Sequence, residues 1–263
     1  MSPTRSSKKR SNSNIDVNDI SLSKGKSIIK TILGRKIEIK AKNKRQKELL
    51  NLIGDKEITF IAGPAGSGKT FLSLARSLQL LYDENTPYER IYLLKSVITL
   101  QDENIGYIKG EIDDKLKPSV MSFLMNLGKI IDISQMNKLV ENDLVVALPI
   151  GYMRGLSIDN SIIILDEVQN ITLENLRTIM TRIGENSKII AMGDLRQIDI
   201  KNKTKSSLYT AMEIFNGIDE IGTFEFSEED IVRNPLIQKI ERRFEEHFAN
   251  SINSNNRKEL LNG

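Results

Sequence analysis

The chain has 263 residues, of which 39% are hydrophobic and 28% are charged, a composition typical of a globular protein with room for one sizeable α/β domain. Because it contains no cysteine and a single histidine, disulfides, thiolate catalysis and cysteine-ligated metal centres are excluded. No apolar run approaches the roughly 20 residues of a membrane span, and no apolar segment follows the basic N-terminus as in a secretory signal, so we expect a soluble, cytoplasmic protein without a membrane partner.

The N-terminal region is strongly basic. Residues 1–50 hold 14 Lys and Arg against 4 Asp and Glu, a net charge of +10, whereas residues 51–263 carry a net charge of −7. Residues 1–14 lack apolar periodicity and are expected to be disordered, and GKSIIKTILGRKIEIKAKN (25–43) alternates like a short basic hairpin. We assign residues 1–38 to a basic, partly disordered arm, which either contacts nucleic-acid phosphates or only solubilises the chain.

Strand and helix patterns alternate through the rest of the chain. Short aliphatic runs predict strands in EITFIAG, RIYLLKS, DLVVALP, SIIILDE, SKIIAMGD and GTFEF, and helical spacing predicts helices in KTFLSLARSLQLLYDE, TLENLRTIMTRIGE and NPLIQKIERRFEEHFAN. The single histidine, His247, falls on the last of these helices and is expected at the surface. This order predicts an α/β fold with one parallel sheet flanked by helices, and we place that domain at residues 39–250, followed by a flexible tail at 251–263.

The segment ITFIAGPAGSGKTFLSLA, residues 58–75, matches the P-loop template G-x-x-x-x-G-K-[ST] between an apolar strand and an amphipathic helix. In this motif, backbone N–H groups surround phosphates, the lysine reaches the β- and γ-phosphates, and the hydroxyl residue holds Mg²⁺. Lys69 and Thr70 take the last two roles here. We expect a nucleoside triphosphate to be bound by Gly63, Pro64, Ala65, Gly66, Ser67, Gly68, Lys69, Thr70 and Phe71.

Acidic and polar residues follow two other predicted strands. SIIILDEVQN delivers Asp166 and Glu167 to a strand end, where one carboxylate can hold Mg²⁺ and its neighbour can activate water for attack on the γ-phosphorus. In IIAMGDLRQID, Gln197 lies three residues beyond the strand that ends at Asp194. Gln197 is either a sensor of the γ-phosphate or an ordinary surface residue of a turn.

These motifs, together with GYMRGLSIDN upstream of the acidic strand and EEDIVRNPLIQKI near the end, resemble the PhoH family. Members of this family are P-loop ATPases whose core is similar to the RecA-like lobe of a superfamily 1 helicase. The resemblance covers roughly residues 39–248. The stretch LLKSVITLQDENIGYIKGEIDDKLKP is similar to the bacteriophage form of PhoH-like proteins, which implies a phage source and location in the host cytoplasm.

The resemblance implies ATP and Mg²⁺ as ligands, ATP hydrolysis and a link to RNA or single-stranded nucleic acid. It also adds candidate residues. Gln46 matches the glutamine by which helicases read adenine, the alternative being a surface position on a helix, and Arg154 and Arg233 match family arginines that clamp phosphate or touch nucleic acid. We count Arg233 with Lys69, Glu167 and Gln197 as catalytic, and Gln46 as nucleotide-binding.

A superfamily 1 helicase closes its ATP site between two RecA-like lobes, and this chain has room for only one. We therefore expect a homo-oligomer, such as a hexameric ring, in which a neighbouring subunit supplies Arg233 or, as second choice, Arg154. A nucleotide-gated binding module with slow hydrolysis is the alternative function, and a metabolite kinase is a third. No room remains for a PIN ribonuclease domain, so nuclease activity is not expected, and the acids of EIDDK are assigned to a solvated turn.

Overall fold

The computed structural model describes residues 17–95, 121–153, 157–195 and 207–231, together with 239, 240, 243 and 247. The helices are α1 (Val17–Leu33), α2 (Lys44–Asp55), α3 (Lys69–Tyr82), α4 (Ile133–Glu141), α5 (Leu173–Met180) and α6 (Ser207–Ile214). The strands are β1 (Ile58–Ala62), β2 (Arg90–Lys95), β3 (Val145–Pro149), β4 (Ser161–Asp166), β5 (Lys188–Gly193) and β6 (Ile221–Glu225). Residues 121–127 are also helical, and short 3₁₀ turns occupy Ile150–Met153, Val168–Asn170 and Glu228–Asp230.

All six strands form one parallel sheet in the order β3-β2-β4-β5-β1-β6. The predicted α/β fold with a single parallel sheet is confirmed. β5 lies between β1 and β4, and its register places Ala62 opposite Gly193 at the carboxyl ends of the strands. This edge of the sheet is where ligands bind in open α/β folds.

Alternation along the strands builds two apolar layers, one on each face of the sheet. On β4, Ile162 and Ile164 face the layer that includes α1, α2 and α3, whereas Ile163 and Leu165 face the layer that includes α5 and α6. Every residue of β4 and β5 is buried, because a parallel strand covered on both faces has no solvent side. The sheet is therefore a rigid support for the loops at its carboxyl edge.

The predicted hairpin at residues 25–43 is wrong, because residues 17–33 form helix α1. Ile29 and Leu33 are buried in the apolar layer that contains α3. Lys26, also buried, donates from Nζ to the carbonyl oxygens of Leu81 at 3.0 Å and Asp83 at 2.8 Å, at the C-terminal end of α3. The folded unit thus begins before the predicted domain start at residue 39.

Several predictions fall on residues that the structure does not describe. The first part of the basic arm, the tail over 251–263, the EIDDK segment and most of the predicted last helix are in this group. His247 is described and is exposed, as expected. Within the described ranges, no helix combines the length and apolar composition that a membrane span requires.

Candidate nucleotide-binding site

The P-loop connects β1 directly to α3. Gly66 and Gly68 have φ values of +90° and +94°, a left-handed backbone conformation that glycine adopts without steric cost. The turn is held by Ser67, a fully buried residue whose hydroxyl donates to the Pro64 carbonyl at 3.0 Å. Because α3 begins at Lys69, the loop presents backbone N–H groups and the positive end of a helix dipole to one concave surface, which is an anion-binding arrangement.

The Lys69 ammonium lies against this loop. Its Nζ donates to the carbonyl oxygens of Gly63 at 2.6 Å and Pro64 at 3.0 Å. On the other side, the backbone N–H of Ala65 donates to Oδ2 of Asp194 at 3.2 Å. One of the loop's N–H groups therefore already donates to an anionic oxygen, as it would to a phosphate oxygen.

Asp166 is the last residue of β4 and Glu167 follows it, as the sequence predicts. Asp166 is buried, and its Oδ1 accepts from the backbone N–H of Glu167 at 3.0 Å. Glu167 has φ 57° and ψ 38°, a left-handed conformation that costs a residue with a side chain about 1–3 kcal/mol. Such strain is found where a surrounding structure holds a side chain in a required direction.

Gln169 contacts the site through Glu167 and was not predicted from the sequence. This fully buried side chain donates from Nε2 to Oε2 of Glu167 at 2.7 Å and accepts at Oε1 from the backbone N–H of Asp194 at 3.1 Å. A Cβ atom at position 193 would overlap the Gln169 side chain, so only glycine fits there. The sequence feature that could have indicated Gln169 is its position two residues after Glu167 in LDEVQN.

Three hydrogen bonds consequently join the elements around the site. They run from Glu167 to Gln169, from Gln169 to Asp194, and from Asp194 to Ala65 in the P-loop. The ends of β4 and β5 are thereby tied to the loop that follows β1.

Gln46 does not occupy a surface position, because its side chain is only 4% exposed. It lies on the first turn of α2, which is capped by Asn43. Its Oε1 accepts from the backbone N–H of Lys42 at 2.8 Å, and its Nε2 donates to the Ser67 carbonyl at 3.3 Å. The amide of Gln46 is therefore oriented beside the P-loop.

The P-loop and the ends of β4 and β5 line one cleft of about 490 Å³, a size that suits a small-molecule ligand. Gly63, Pro64, Ser67 and Gln169 are not among its lining residues. Its floor is formed by the P-loop and its polar wall by the ends of β4 and β5. Of the residues predicted to bind nucleotide or to act on it, the cleft is lined by Gln46, Ala65, Gly66, Gly68, Lys69, Thr70, Phe71, Asp166 and Glu167. Lys40, Lys42, Asn126 and Lys129 line it in addition.

Gln197, Arg154 and Arg233 lie outside the described residues, so their predicted roles stay predictions.

The residues present fit a Mg²⁺–nucleotide complex. Thr70 and Asp166 line the same cleft and supply hydroxyl and carboxylate oxygens, the ligand type that Mg²⁺ prefers. Among the described residues, no group of three or more acidic or histidine side chains is placed to hold a metal alone. A Mg²⁺ ion typically takes one or two protein ligands and completes its shell with substrate phosphates and water, which agrees with this arrangement.

A parallel sheet with a P-loop after β1 and acidic residues after β4 defines a P-loop nucleoside triphosphate-binding domain. The family described as PhoH-like protein matches residues 38–245. The chain belongs to this family, as the sequence motifs indicated.

Relatives of the chain carry the same family description. It is 32% identical over 207 residues to a PhoH-like protein of Synechocystis sp., covering 79% of this chain and 62% of that protein. It is 32% identical over 213 residues to a PhoH-like protein of Bacillus subtilis, which covers 81% of this chain and 65% of that protein. It is 33% identical over 203 residues to Protein PhoH of Escherichia coli, which covers 76% of this chain and 56% of that protein. The chain thus spans less than two thirds of the length of these relatives.

Two solved structures are similar at low sequence identity. The HK97 bacteriophage large terminase aligns with 77% of this chain and 44% of its own, with a TM-score of 0.43 and 15% identity. A structure of two Pif1 helicases at forked double-stranded DNA aligns with 71% of this chain and 44% of its own, with a TM-score of 0.32 and 13% identity.

Proposed function

We propose that the protein binds ATP with Mg²⁺ in this cleft and hydrolyses it, and that single-stranded RNA or DNA is coupled to the reaction. The observation that carries the proposal is the convergence of the P-loop, Lys69 and the carboxylates of Asp166 and Glu167 on one cleft. Membership of the PhoH-like family supports it.

The residues divide into binding and chemical roles. The P-loop N–H groups and the Lys69 ammonium bind the β- and γ-phosphates, so Lys69 exchanges its contacts with the loop carbonyls for phosphate oxygens. Thr70 and Asp166 would hold Mg²⁺, which would supply positive charge to the phosphate oxygens. Glu167 accepts a proton from the water that attacks the γ-phosphorus in line with the leaving oxygen.

Two further residues are assigned to substrate recognition. Gln46 offers an amide donor and an amide acceptor, the pair of groups that recognises adenine, and its burial beside Ser67 supports this role. Gln197, three residues after Asp194, is proposed to contact the γ-phosphate and respond to its loss.

Coupling to nucleic acid is supported by charge. Residues 1–50 carry a net charge of +10, and lysine and arginine gain affinity for polynucleotides by releasing the counterions condensed on the phosphates. The likeness of the motifs to a superfamily 1 helicase lobe supports the same partner.

We also propose that the ATP site is completed by a neighbouring subunit of a homo-oligomer, such as a hexameric ring. An arginine acting in trans is worth roughly 10³–10⁵ in rate. Arg233 is the first candidate and Arg154 the second. Specific activity should then rise with protein concentration, and a constant value across dilution would contradict assembly.

Two substitutions test the nucleotide site. Lys69→Ala should weaken ATP binding and abolish hydrolysis, because it removes a ground-state contact to phosphate. Glu167→Gln should retain ATP binding and slow hydrolysis by about 10²–10⁴, the contribution typical of a general base. The measurements are titration with a fluorescent ATP analogue and phosphate release. Equal loss of ATP affinity in both variants would contradict these roles.

A further inference from the structure

We infer that three lysines at the mouth of the nucleotide cleft, Lys40, Lys42 and Lys129, bind the phosphate backbone of single-stranded nucleic acid. We call them the lysine rim. The inference rests on the proposed function for its partner, since it gives the nucleic acid a place beside the bound nucleotide. It assigns this contact to the folded domain, in addition to the basic residues of the N-terminal arm.

The rim is built from two separate parts of the chain. Lys40 and Lys42 lie on the segment between α1 and α2, and Lys129 lies in the turn between residues 121–127 and α4. All three side chains are exposed and line the same cleft. Lys129 is further oriented by Asn126, whose Oδ1 accepts from Lys129 Nζ at 3.4 Å.

The segment that carries Lys40 and Lys42 is held in place. Ile37 is buried, and its carbonyl accepts from Nε2 of Gln79 at 2.7 Å. The backbone N–H of Lys42 donates to Oε1 of Gln46 at 2.8 Å. These contacts fix the backbone at both ends of the segment, so Lys40 and Lys42 are presented together at the cleft.

The positive charge of the rim is not compensated by ion pairs. In the described part of the chain, the ion pairs join Lys30 to Glu84, and Lys44 and Arg45 to Glu48, and none includes a rim lysine. Three uncompensated cations at one mouth favour an anionic partner.

A bound nucleotide does not account for all of this charge. Its phosphates are the anionic groups, and the P-loop and Lys69 are placed to take them. Lys42 instead contacts Gln46 through its backbone, on the side proposed for the base, and base and ribose are uncharged. Lysine ammonium groups bind phosphate as point charges without reading bases, so a polynucleotide backbone crossing the mouth is the partner that fits.

The experiment compares two triple variants of the full chain that remove equal charge. The test variant is Lys40→Gln with Lys42→Gln and Lys129→Gln. The control is Lys44→Gln with Lys47→Gln and Lys138→Gln, which are exposed lysines outside the cleft lining. Binding of a fluorescein-labelled oligouridylate, longer than the roughly 4–16 nucleotides of a typical site, is followed by fluorescence anisotropy without ATP, between about 50 and 200 mM salt.

Each lysine contact to a single strand contributes about 0.7 to the steepness of the slope of log K against log salt concentration. The loss of three contacts should therefore make this slope shallower by about 2 in the test variant. Its affinity at low salt should fall more than tenfold, whereas the control should keep nearly the wild-type slope. The N-terminal arm is present in all three proteins, so its contribution cancels.

Equal slopes in the two variants would overturn the inference, as would a wild-type chain that does not bind the oligonucleotide. A test variant that loses affinity for a fluorescent ATP analogue but keeps oligonucleotide binding would assign the rim to the nucleotide and also overturn it. Because binding is measured without ATP, a wild-type chain that fails to hydrolyse ATP would contradict the proposed function and leave this comparison intact.

Discussion

Gln169 is the side chain that holds Glu167, the proposed general base, in place. Its amide donates to Glu167 and accepts from the backbone of Asp194, while Glu167 sits in a strained left-handed conformation. A carboxylate held by one side chain on a strained backbone has little freedom to leave the cleft. We therefore treat Gln169 as a positioning residue for Glu167.

Gln169→Leu should lower kcat for ATP hydrolysis roughly 10- to 100-fold, part of the 10²–10⁴ that general-base catalysis supplies. Leucine is of similar size but offers neither donor nor acceptor, so Glu167 loses its hydrogen bond from Gln169. KM for ATP should change little, because the P-loop is not altered. Steady-state kinetics with ATP as the varied substrate measure both constants.

Gln135→Leu is the matched control, because it removes a glutamine hydrogen bond to the Leu33 carbonyl away from the cleft lining. It should leave kcat near the wild-type value. A Gln169→Leu protein whose loss appears only in KM, or only in thermal stability, would show that Gln169 has a structural role alone.

The sequence indicated which residues meet in one cleft where a motif has fixed spacing, whereas the roles of those residues stay predictions. Lys69, Thr70, Asp166 and Glu167 lie together in the cleft, because a P-loop and a strand-ending acid pair each specify position locally. Gln169 was missed because its role depends on the neighbouring strand β5, and sequence spacing does not show which strand is the neighbour.

Helix α1 shows that contacts with distant parts of the chain can determine whether a segment forms a helix or a strand. Residues 25–43 are rich in isoleucine, which favours strands, but Ile29 and Leu33 are four residues apart, which suits one face of a helix. The helix is stabilised in its middle and at its C-terminal end by partners distant in sequence: Lys26 binds the end of α3, and Gln135 Nε2 donates to the Leu33 carbonyl at 2.9 Å. A hairpin would forfeit both contacts.

Lys26→Met should lower the free energy of unfolding by about 1–3 kcal/mol at neutral pH, because buried acceptors at the end of α3 lose their donor. Urea denaturation measures the change. Lys30→Met on the same helix is the control, since its ion pair with Glu84 is solvent-accessible and such pairs contribute about 0–1 kcal/mol. Equal effects of the two substitutions would contradict a special role for Lys26.

Lys26 also makes the free energy of unfolding depend on pH. Burial lowers the pKa of Lys26 to about 8 from 10.5, so between these values the unfolded chain binds the proton more readily than the folded chain. The free energy of unfolding should therefore rise with pH across this window through Lys26. Denaturation of wild type and Lys26→Met at both ends of the window should show the difference between them growing with pH, and a shrinking difference would contradict the assignment.

The whole molecule is organised by the order of its strands. Six aliphatic runs predicted six parallel strands, and the rule that ligands lie beyond their carboxyl ends predicted where the P-loop and the acids would meet. Lys129 and Asn126 were not predicted, because their position in the cleft depends on how residues 121–130 pack beside α3. Such packing is settled by side chains from many parts of the chain and leaves no local pattern.

In the proposed function, one cleft hydrolyses ATP and single-stranded nucleic acid is coupled to this reaction. The most direct test is the steady-state rate of phosphate release by the wild-type chain, with Mg²⁺ and saturating ATP, as single-stranded RNA is titrated in. Glu167→Gln measured in parallel reports any contaminating ATPase. We predict a basal rate that rises and saturates with RNA in the wild type and stays near background in Glu167→Gln. A basal rate that no RNA or DNA alters would contradict the coupling and favour a nucleotide-gated binding module, and equal rates in both proteins would contradict hydrolysis at this cleft.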